Sequence, residues 1–367
     1  MKQTKKKTAI VINMQMDHYA CGYYRMAFPD MALRAQKEVF YSSMRFDGPT
    51  TALTNIVNDS CIFKAQRFHS EQHTKYFQAY LEQLKGRVGC KVIYDIDDIL
   101  VGEDMPPHNP STPEHKTTGP NLKIMLKIAD VVSVSTVELG MYYHKKLGIE
   151  LSKFRVVPNF IPQWWSYTEP VTKQVPKDRK LRIGFPCSFS HFNHASNTTT
   201  NDDFSHIIDF IESTCDKYEW VFFAHVPKQL WHLLEKGKIS TTNGSPFLNY
   251  LNCLKSKDLD LVIAPLESCD FNKAKSNIKL LEAAASRIPF LGQDLVTYNK
   301  FTDSVFKDAN GLQNQIDRIF KSDKSLNEEI NKNNNFMDND TSEDRNKGWW
   351  LENNLHYHTD IFERIVK

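Results

Sequence analysis

Pro265-Leu-Glu-Ser-Cys-Asp-Phe-Asn-Lys-Ala-Lys-Ser-Asn-Ile-Lys-Leu-Leu-Glu-Ala-Ala-Ala-Ser-Arg-Ile-Pro-Phe-Leu291 is the stretch whose reading decides the fold. The run before it, Leu259-Asp-Leu-Val-Ile-Ala-Pro265, is short, apolar and β-branched, as a fully buried parallel strand requires. The apolar spacing after it predicts a helix that opens near Ser276. In an α/β sheet, the loop where such a strand passes into a helix is where ligands bind. On that helix Lys275, Lys279 and Glu282 fall at relative positions 0, 4 and 7 and share one face, with Ile278, Leu281 and Ala285 on another. Helix amides and two ammonium groups together suit an anionic group such as a phosphate. An amphipathic surface helix with an ordinary Lys–Glu pair would carry the same residues.

Working outward, the strand pattern repeats in two series. The first holds Thr8–Asn13, Ser60–Gln66, Lys91–Asp95, Ala129–Ser135 and Arg155-Val-Val-Pro-Asn-Phe-Ile161, with helix-length segments at His73–Gly86 and Thr136–Leu147. Pro162, Pro170 and Pro176 then mark a linker without periodicity. The second series starts at Leu181-Arg-Ile-Gly-Phe185 and runs through a helical pattern at Asp203–Cys215 and strands at Glu219–Ala224 and Leu259–Pro265. Alternation of strand and helix implies parallel sheets, and its restart implies two α/β domains, at 1–165 and 180–330. The Asn-rich stretch 331–344 reads as a loop, and Trp349–Lys367 as a terminal helix, within 346–367, that packs back on the first domain.

The 367 residues agree with two domains of roughly 150 to 200 residues each. With 41% hydrophobic and 25% charged residues the composition is that of a soluble globular protein. No run approaches the ~18 apolar residues of a membrane span. Seven cysteines without a C-x-x-C pair suggest neither a disulfide framework nor a zinc ribbon, and so a reducing, cytoplasmic setting. A net charge of +2 permits a phosphate-rich partner without demanding one. The Lys2 and Lys5–Lys7 cluster reads as a solvated tail or as a dock for nucleic acid or an anionic membrane. There is no P-loop and no G-x-G-x-x-G fingerprint.

The pattern Pro-Leu, then Phe-Asn-x-x-Lys-Ser-x-x-Lys-x-x-Glu-Ala-Ala and a later Pro, resembles the donor motif of family-four-type GT-B glycosyltransferases. The resemblance implies two Rossmann-like domains facing each other across a cleft, and a nucleotide-sugar donor, a UDP-sugar first of all. It gives Glu282 the nucleotide ribose and Lys275 and Lys279 the diphosphate, with Ser276 and Asn272 beside them. The family's first glutamate would stand at Ala274, where this chain has none, so Asp270 or Asn272 would have to substitute. The loop Pro186-Cys-Ser-Phe-Ser-His-Phe-Asn-His194 falls where the family approaches the diphosphate, which makes Ser188, Ser190 and His191 candidate donors. His191 and His194 alone do not make a metal site. The family generally retains anomeric configuration, and no bound cofactor or divalent metal is expected.

In the first half, the loop from Met14 to Pro29 carries Gly22, Tyr23 and Arg25, candidates for acceptor binding. Tyr94-Asp-Ile-Asp-Asp-Ile99 offers Asp95, Asp97 and Asp98 at a strand end. A carboxylate there can orient or deprotonate an acceptor hydroxyl; Asp97 is preferred, Asp95 is a second candidate, and Asp98 and Arg67 are placed with the acceptor. His69, after another strand, is a further possible base. Asp-x-Asp also suits a metal-bound diphosphate in the single-sheet GT-A fold, and strand-end turns and helix caps use the same residues. Tyr-Tyr-Arg-Met, Tyr-Asp-Ile-Asp-Asp and the Lys-Ser-Asn-Ile-Lys segment together look similar to glycosyltransferases of tailed bacteriophages. That likeness implies an acceptor such as hydroxymethylcytosine in double-stranded DNA, contacted by Lys2–Lys7, Lys37, Arg45, Arg67, Lys145 and Lys146. Surface polysaccharide, lipid-linked sugar, or binding without catalysis are the rival readings.

Overall fold

The computed structural model of the chain describes residues 10–15, 19–35, 40–45, 61–71, 74, 75, 78, 91–193, 201–339 and 348–366. The N-terminal lysines, Lys37, His194 and most of the segment 73–86 lie outside the described residues. Two six-stranded sheets organise the chain, and every strand pair in them is parallel. The first comprises β1 (Ile10–Gln15), β2 (Phe40–Arg45), β3 (Cys61–Gln66), β4 (Lys91–Ile96), β5 (Val131–Val134) and β6 (Phe154–Val156), in the order β2-β1-β3-β4-β5-β6. The second comprises β7 (Leu181–Phe185), β8 (Tyr218–Phe223), β9 (Ser240–Thr242), β10 (Leu261–Ala264), β11 (Phe290–Gln293) and β12 (Val305–Phe306), in the order β12-β11-β10-β7-β8-β9. That second order is the doubly wound one, with its topological switch between β7 and β10. A second complete sheet excludes the single-sheet GT-A reading.

Burial on both faces explains the apolar composition of the strands, since helices cover each side of a parallel sheet. Two local features fix these elements in place. Gly184 in β7 lies so close to Leu259 that a Cβ would come within 2.2 Å of its Cδ1. Thr136 caps the helix α2 (Val137–Leu147), its Oγ1 accepting from Leu139 N, and Gly148 closes it at φ 66°.

Helix boundaries are where the structure departs most from expectation. The helix α5 (Asp323–Asn339) runs through the first part of the Asn-rich stretch that reads as a loop. Asparagine is a poor helix former, but here Asn333 Nδ2 donates to Ile288 O and Asn334 Oδ1 accepts from Arg287, while Leu326, Ile330 and Met337 enter the core. Tertiary hydrogen bonds thus override local propensity. The terminal helix α6 (His356–Val366) is shorter than expected, because Ile161 and Trp350 form a parallel bridge and Leu351–Asn353 is a 3-10 turn. Ile361, Phe362 and Ile365 of α6 share a core with Val11, Ile62, Ile93 and Val131 of the first sheet. Among the described residues no helix is long and apolar enough to cross a membrane.

Candidate active site

The carboxyl ends of β7 and β10 carry the residues that the sequence assigns to the donor. After β10 the chain forms the short helix α3 (Asp270–Lys273), a loop through Ser276, and then α4 (Ile278–Ala285), whose N-cap is Asn277. Lys275 therefore precedes the helix instead of riding on it, and the single-face argument holds only for Lys279 and Glu282. Their ammonium and carboxylate groups meet at 2.9 Å. The loop still brings Lys275 to the same region: burial lowers the His191 pKa below 6.5, the Asp203 hydrogen bond opposes that, and Lys275 and Lys279 both add to the lowering.

Asp203 is the organiser that no sequence motif announced. Its Oδ1 accepts from Glu267 N at 2.8 Å and from Asn272 Nδ2 at 2.7 Å, and its Oδ2 lies 2.7 Å from His191 Nδ1. One buried carboxylate thereby fixes the loops after β7 and β10 to each other. The Asn272 amide nitrogen is engaged by Asp203 and by Glu267 O, while its Oδ1 is buried without a hydrogen-bond partner. Ser188 and Ser190 are joined at 2.6 Å at the exposed mouth of the β7 loop. Asp270 is exposed and pairs with Lys273 at 3.4 Å. Ala274 is buried in a core shared with first-domain residues, and its carbonyl accepts from Thr136 Oγ1 at 2.7 Å, so a small side chain lets the domains meet there. Beside it a crevice of about 710 Å³ opens, lined by Glu138, Tyr142, Lys145, Lys146 and Lys273 among others.

Glu282 is almost completely buried, and both of its oxygens are in use. Oε1 accepts from Tyr24 OH at 2.9 Å; Oε2 accepts from Tyr250 OH at 3.0 Å and from Lys279. Tyr24 belongs to a π-helical turn, Tyr23–Ala27, that leads into α1 (Phe28–Ala35). Such turns recur at functional sites. Burial first, then the Glu282 carboxylate, raises the pKa of Tyr24 and Tyr250, so both phenols stay protonated donors.

Arg25 and Asp95 are not the cleft-facing residues that the sequence suggests. Arg25 Nε and Nη2 grip Asp95 at 3.1 and 2.9 Å, Ser133 Oγ donates to Asp95 at 2.5 Å, and Lys64 Nζ stands 3.9 Å away. Asp95 is 0% exposed, so no acceptor hydroxyl can reach it. Burial pushes its pKa up, but Arg25 and Lys64 outweigh this and hold it below the usual value. Arg25 also donates to Val157 O and to Asn159 Oδ1, and Asn159 Nδ2 donates to Ser276 Oγ at 2.9 Å. Consecutive residues of the π turn thus reach the segment 276–282 twice, Tyr24 directly and Arg25 through Asn159. Gly22 sits at φ −61°, a helical backbone open to any residue.

Asp97 accepts from Arg67 Nε at 2.5 Å and is 7% exposed; Asp98, at 24%, lies 3.7 Å from Arg67 Nη2 and 4.0 Å from Lys275 Nζ. Each outer aspartate of Asp-x-Asp therefore faces an arginine, Arg25 for Asp95 and Arg67 for Asp97, which supplies the positive charge a metal would otherwise bring. His69 Nδ1 contacts Arg67 O, and its ring stands 4.6 Å from that of His115. Arg67 itself takes a left-handed backbone, φ 52°. Of the cations expected to face DNA, Arg67 is matched to carboxylates, as is Lys146, which pairs with Glu103 and Asp104 at 2.5 and 2.9 Å. Lys145 is exposed.

Two Rossmann-like domains joined in this way constitute the GT-B fold. Among solved structures, the chain is similar to a glycosyltransferase from Rickettsia africae ESF-5, at 12% identity over 98% of this chain and 99% of that one, with a TM-score of 0.58. It is also similar to an alpha-glucosyltransferase in complex with UDP-glucose and DNA containing an abasic site, at 11% identity over 96% and 98% of the two chains and a TM-score of 0.57. An alpha-glucosyltransferase in complex with UDP and a 13-mer DNA containing an HMU base matches at a TM-score of 0.55, with 11% identity over 98% of this chain and 100% of that one. No protein-family model matches the chain, and no curated protein sequence matches it.

Proposed function

We propose that the chain is a glycosyltransferase that moves a sugar from a nucleoside-diphosphate sugar, a UDP-sugar in the first instance, to an acceptor hydroxyl. The observation that carries this reading is the grouping of Lys275, Lys279 and His191 at the β7–β10 switch point, with Glu282 one turn further along α4. Phosphates bind at such points, and fixed cations there stabilise the charge that develops on a departing nucleoside diphosphate. Glu282 takes the ribose hydroxyls, and Ser188 and Ser276 serve the diphosphate. Asp98, rather than Asp97 or Asp95, orients or deprotonates the acceptor, because it is the most exposed of the three aspartates and stands 4.0 Å from Lys275. Transfer with retention follows the family-four resemblance.

For the acceptor, our reading is a hydroxymethylated base of double-stranded DNA. Its support is the bacteriophage-like sequence segments and the likeness of the fold to an alpha-glucosyltransferase held with DNA. The test is a donor screen with hydroxymethylated DNA and mass spectrometry of the released nucleosides. A hexose or pentose added to the base supports the reading. Hydrolysis of a nucleotide sugar without DNA modification turns it toward a polysaccharide or lipid-linked acceptor, and no reaction with any donor leaves a nucleotide-binding protein without transferase activity.

A further inference from the structure

Tyr23 and Tyr24 follow one another on the π turn and meet the donor domain in two different ways. The Tyr23 ring lies against Phe247 at 5.0 Å between centroids and 23° between planes. Phe247 in turn is nearly parallel to Tyr250, at 6.3 Å and 11°. Tyr24 sets its ring edge-on to Phe247, at 5.2 Å and 83°, and its OH donates to Glu282 Oε1 at 2.9 Å. One short segment thus presents a planar ring to an aromatic face and, one residue on, a hydroxyl to a buried carboxylate. Those are the two groups that a nucleoside presents: a base and a ribose hydroxyl.

Contacts along the donor domain run in the matching order. Phe247 follows β9 at the edge of the sheet, and Tyr250 connects it to Glu282 and Lys279. Lys279 and Lys275 then both act on His191. Aromatic face, carboxylate and cations therefore succeed one another as base, ribose and diphosphate do in a nucleotide.

We propose that Phe247 is the stacking platform for the nucleobase of the donor, and that Tyr23 and Tyr24, through their contacts with Phe247 and Glu282, compete with the nucleoside for this place. This rests on the reading of Glu282 as the ribose ligand. Nucleotide entry displaces the Tyr23 ring from Phe247 and the Tyr24 hydroxyl from Glu282. The π turn is suited to this exchange, since Arg25 stays tethered to Asp95 and Asn159 while the two tyrosines ahead of it move. An acceptor-domain segment then competes with the donor for its own site, and loading the donor frees that segment.

Titration calorimetry of the full chain with UDP, and with inorganic pyrophosphate as a probe lacking the nucleoside, tests this. Tyr24→Phe keeps the ring and removes the competing hydrogen bond, so UDP should bind about three- to tenfold more tightly. Phe247→Leu should weaken UDP at least about tenfold and leave pyrophosphate unchanged. Hydrogen exchange supplies a readout that needs no variant: amides 23–27 should exchange faster with UDP bound. Equal or weaker UDP binding by Tyr24→Phe, or unchanged or slower exchange at 23–27, overturns the inference while leaving the nucleotide site intact. Binding of neither UDP nor pyrophosphate to folded protein removes the nucleotide site itself and the inference with it.

Discussion

Tyr24 donates its hydroxyl to Glu282 Oε1 at 2.9 Å, and the two residues, 258 positions apart, belong to different domains. With Tyr250 and Lys279 on the same carboxylate, Glu282 holds the domain boundary together, in addition to the ribose role proposed for it. Its dual position changes what a substitution there reports.

Glu282→Ala removes the acceptor of three donors in a buried place. It should cost about 2–4 kcal/mol of stability, read as a lower urea midpoint, as well as UDP binding. Glu282→Gln keeps the shape and one acceptor oxygen, and should fold nearly as well as the parent while binding UDP at least about tenfold more weakly. Parental UDP affinity in Glu282→Gln would remove the ribose role.

The three aspartates at the carboxyl end of β4 should separate by phenotype. Asp95→Asn leaves the Arg25 guanidinium without its buried counter-ion, and a loss of about 3–5 kcal/mol in denaturant unfolding is expected. Asp98→Asn should keep the fold and UDP affinity but lower turnover by about a hundredfold or more. Full turnover in Asp98→Asn, with loss in Asp97→Asn instead, would return the role to Asp97.

Acid should destabilise the protein before its carboxylates titrate. Burial is the leading cause that lowers the pKa of His115, His191, His206 and His358 from 6.5, and His358 falls furthest. Unfolded histidines take up protons as pH drops through about 6.5, while the folded ones resist until their lower values. The stability they contribute is thus complete above about 6.5 and lost as pH falls toward the folded pKa. Asp95 and Asp203, whose pKa values are lowered in the fold, keep their share until well below that. Urea midpoints should fall between pH 7 and 5.5, and His358→Gln should flatten the slope; a flat midpoint across that range would contradict the assignment.

Nucleotide binding should be coupled to proton uptake at His191. Burial keeps His191 neutral, Asp203 works against this, and Lys275 and Lys279 reinforce it. A bound diphosphate offsets the two ammonium charges and raises the His191 pKa, so UDP should bind more tightly as pH falls from 7.5 to 6. Calorimetry in buffers of different ionisation enthalpy reads the proton directly. His191→Ala should abolish the uptake, and uptake that persists in that variant would assign it elsewhere.

Local pattern carried the two-domain architecture: the apolar runs at 181–185 and 259–265 and the restart of strand–helix alternation are periodicities within a few residues, and they correspond to β7 and β10. Other elements were hidden because tertiary contacts made them. Ser240–Thr242 and Val305–Phe306 are too short to show a period, and the Asn-rich α5 owes its form to hydrogen bonds from Arg287 and to Ile288. Leu326, Ile330 and Met337 at helical spacing were the available signal for it.

For the site, the sequence by itself determined which segment bears cations and a carboxylate at the end of a buried strand, since residue type and spacing are written in it. Only the tertiary structure decided what each group faces. It set Arg25 on Asp95, lifted Lys275 off the helix, tied His191 and Asn272 to Asp203, and brought Tyr24 to Glu282. A side chain's charge is local, but whether it is spent within the fold or left for a ligand depends on which distant surface the packing of two sheets brings against it.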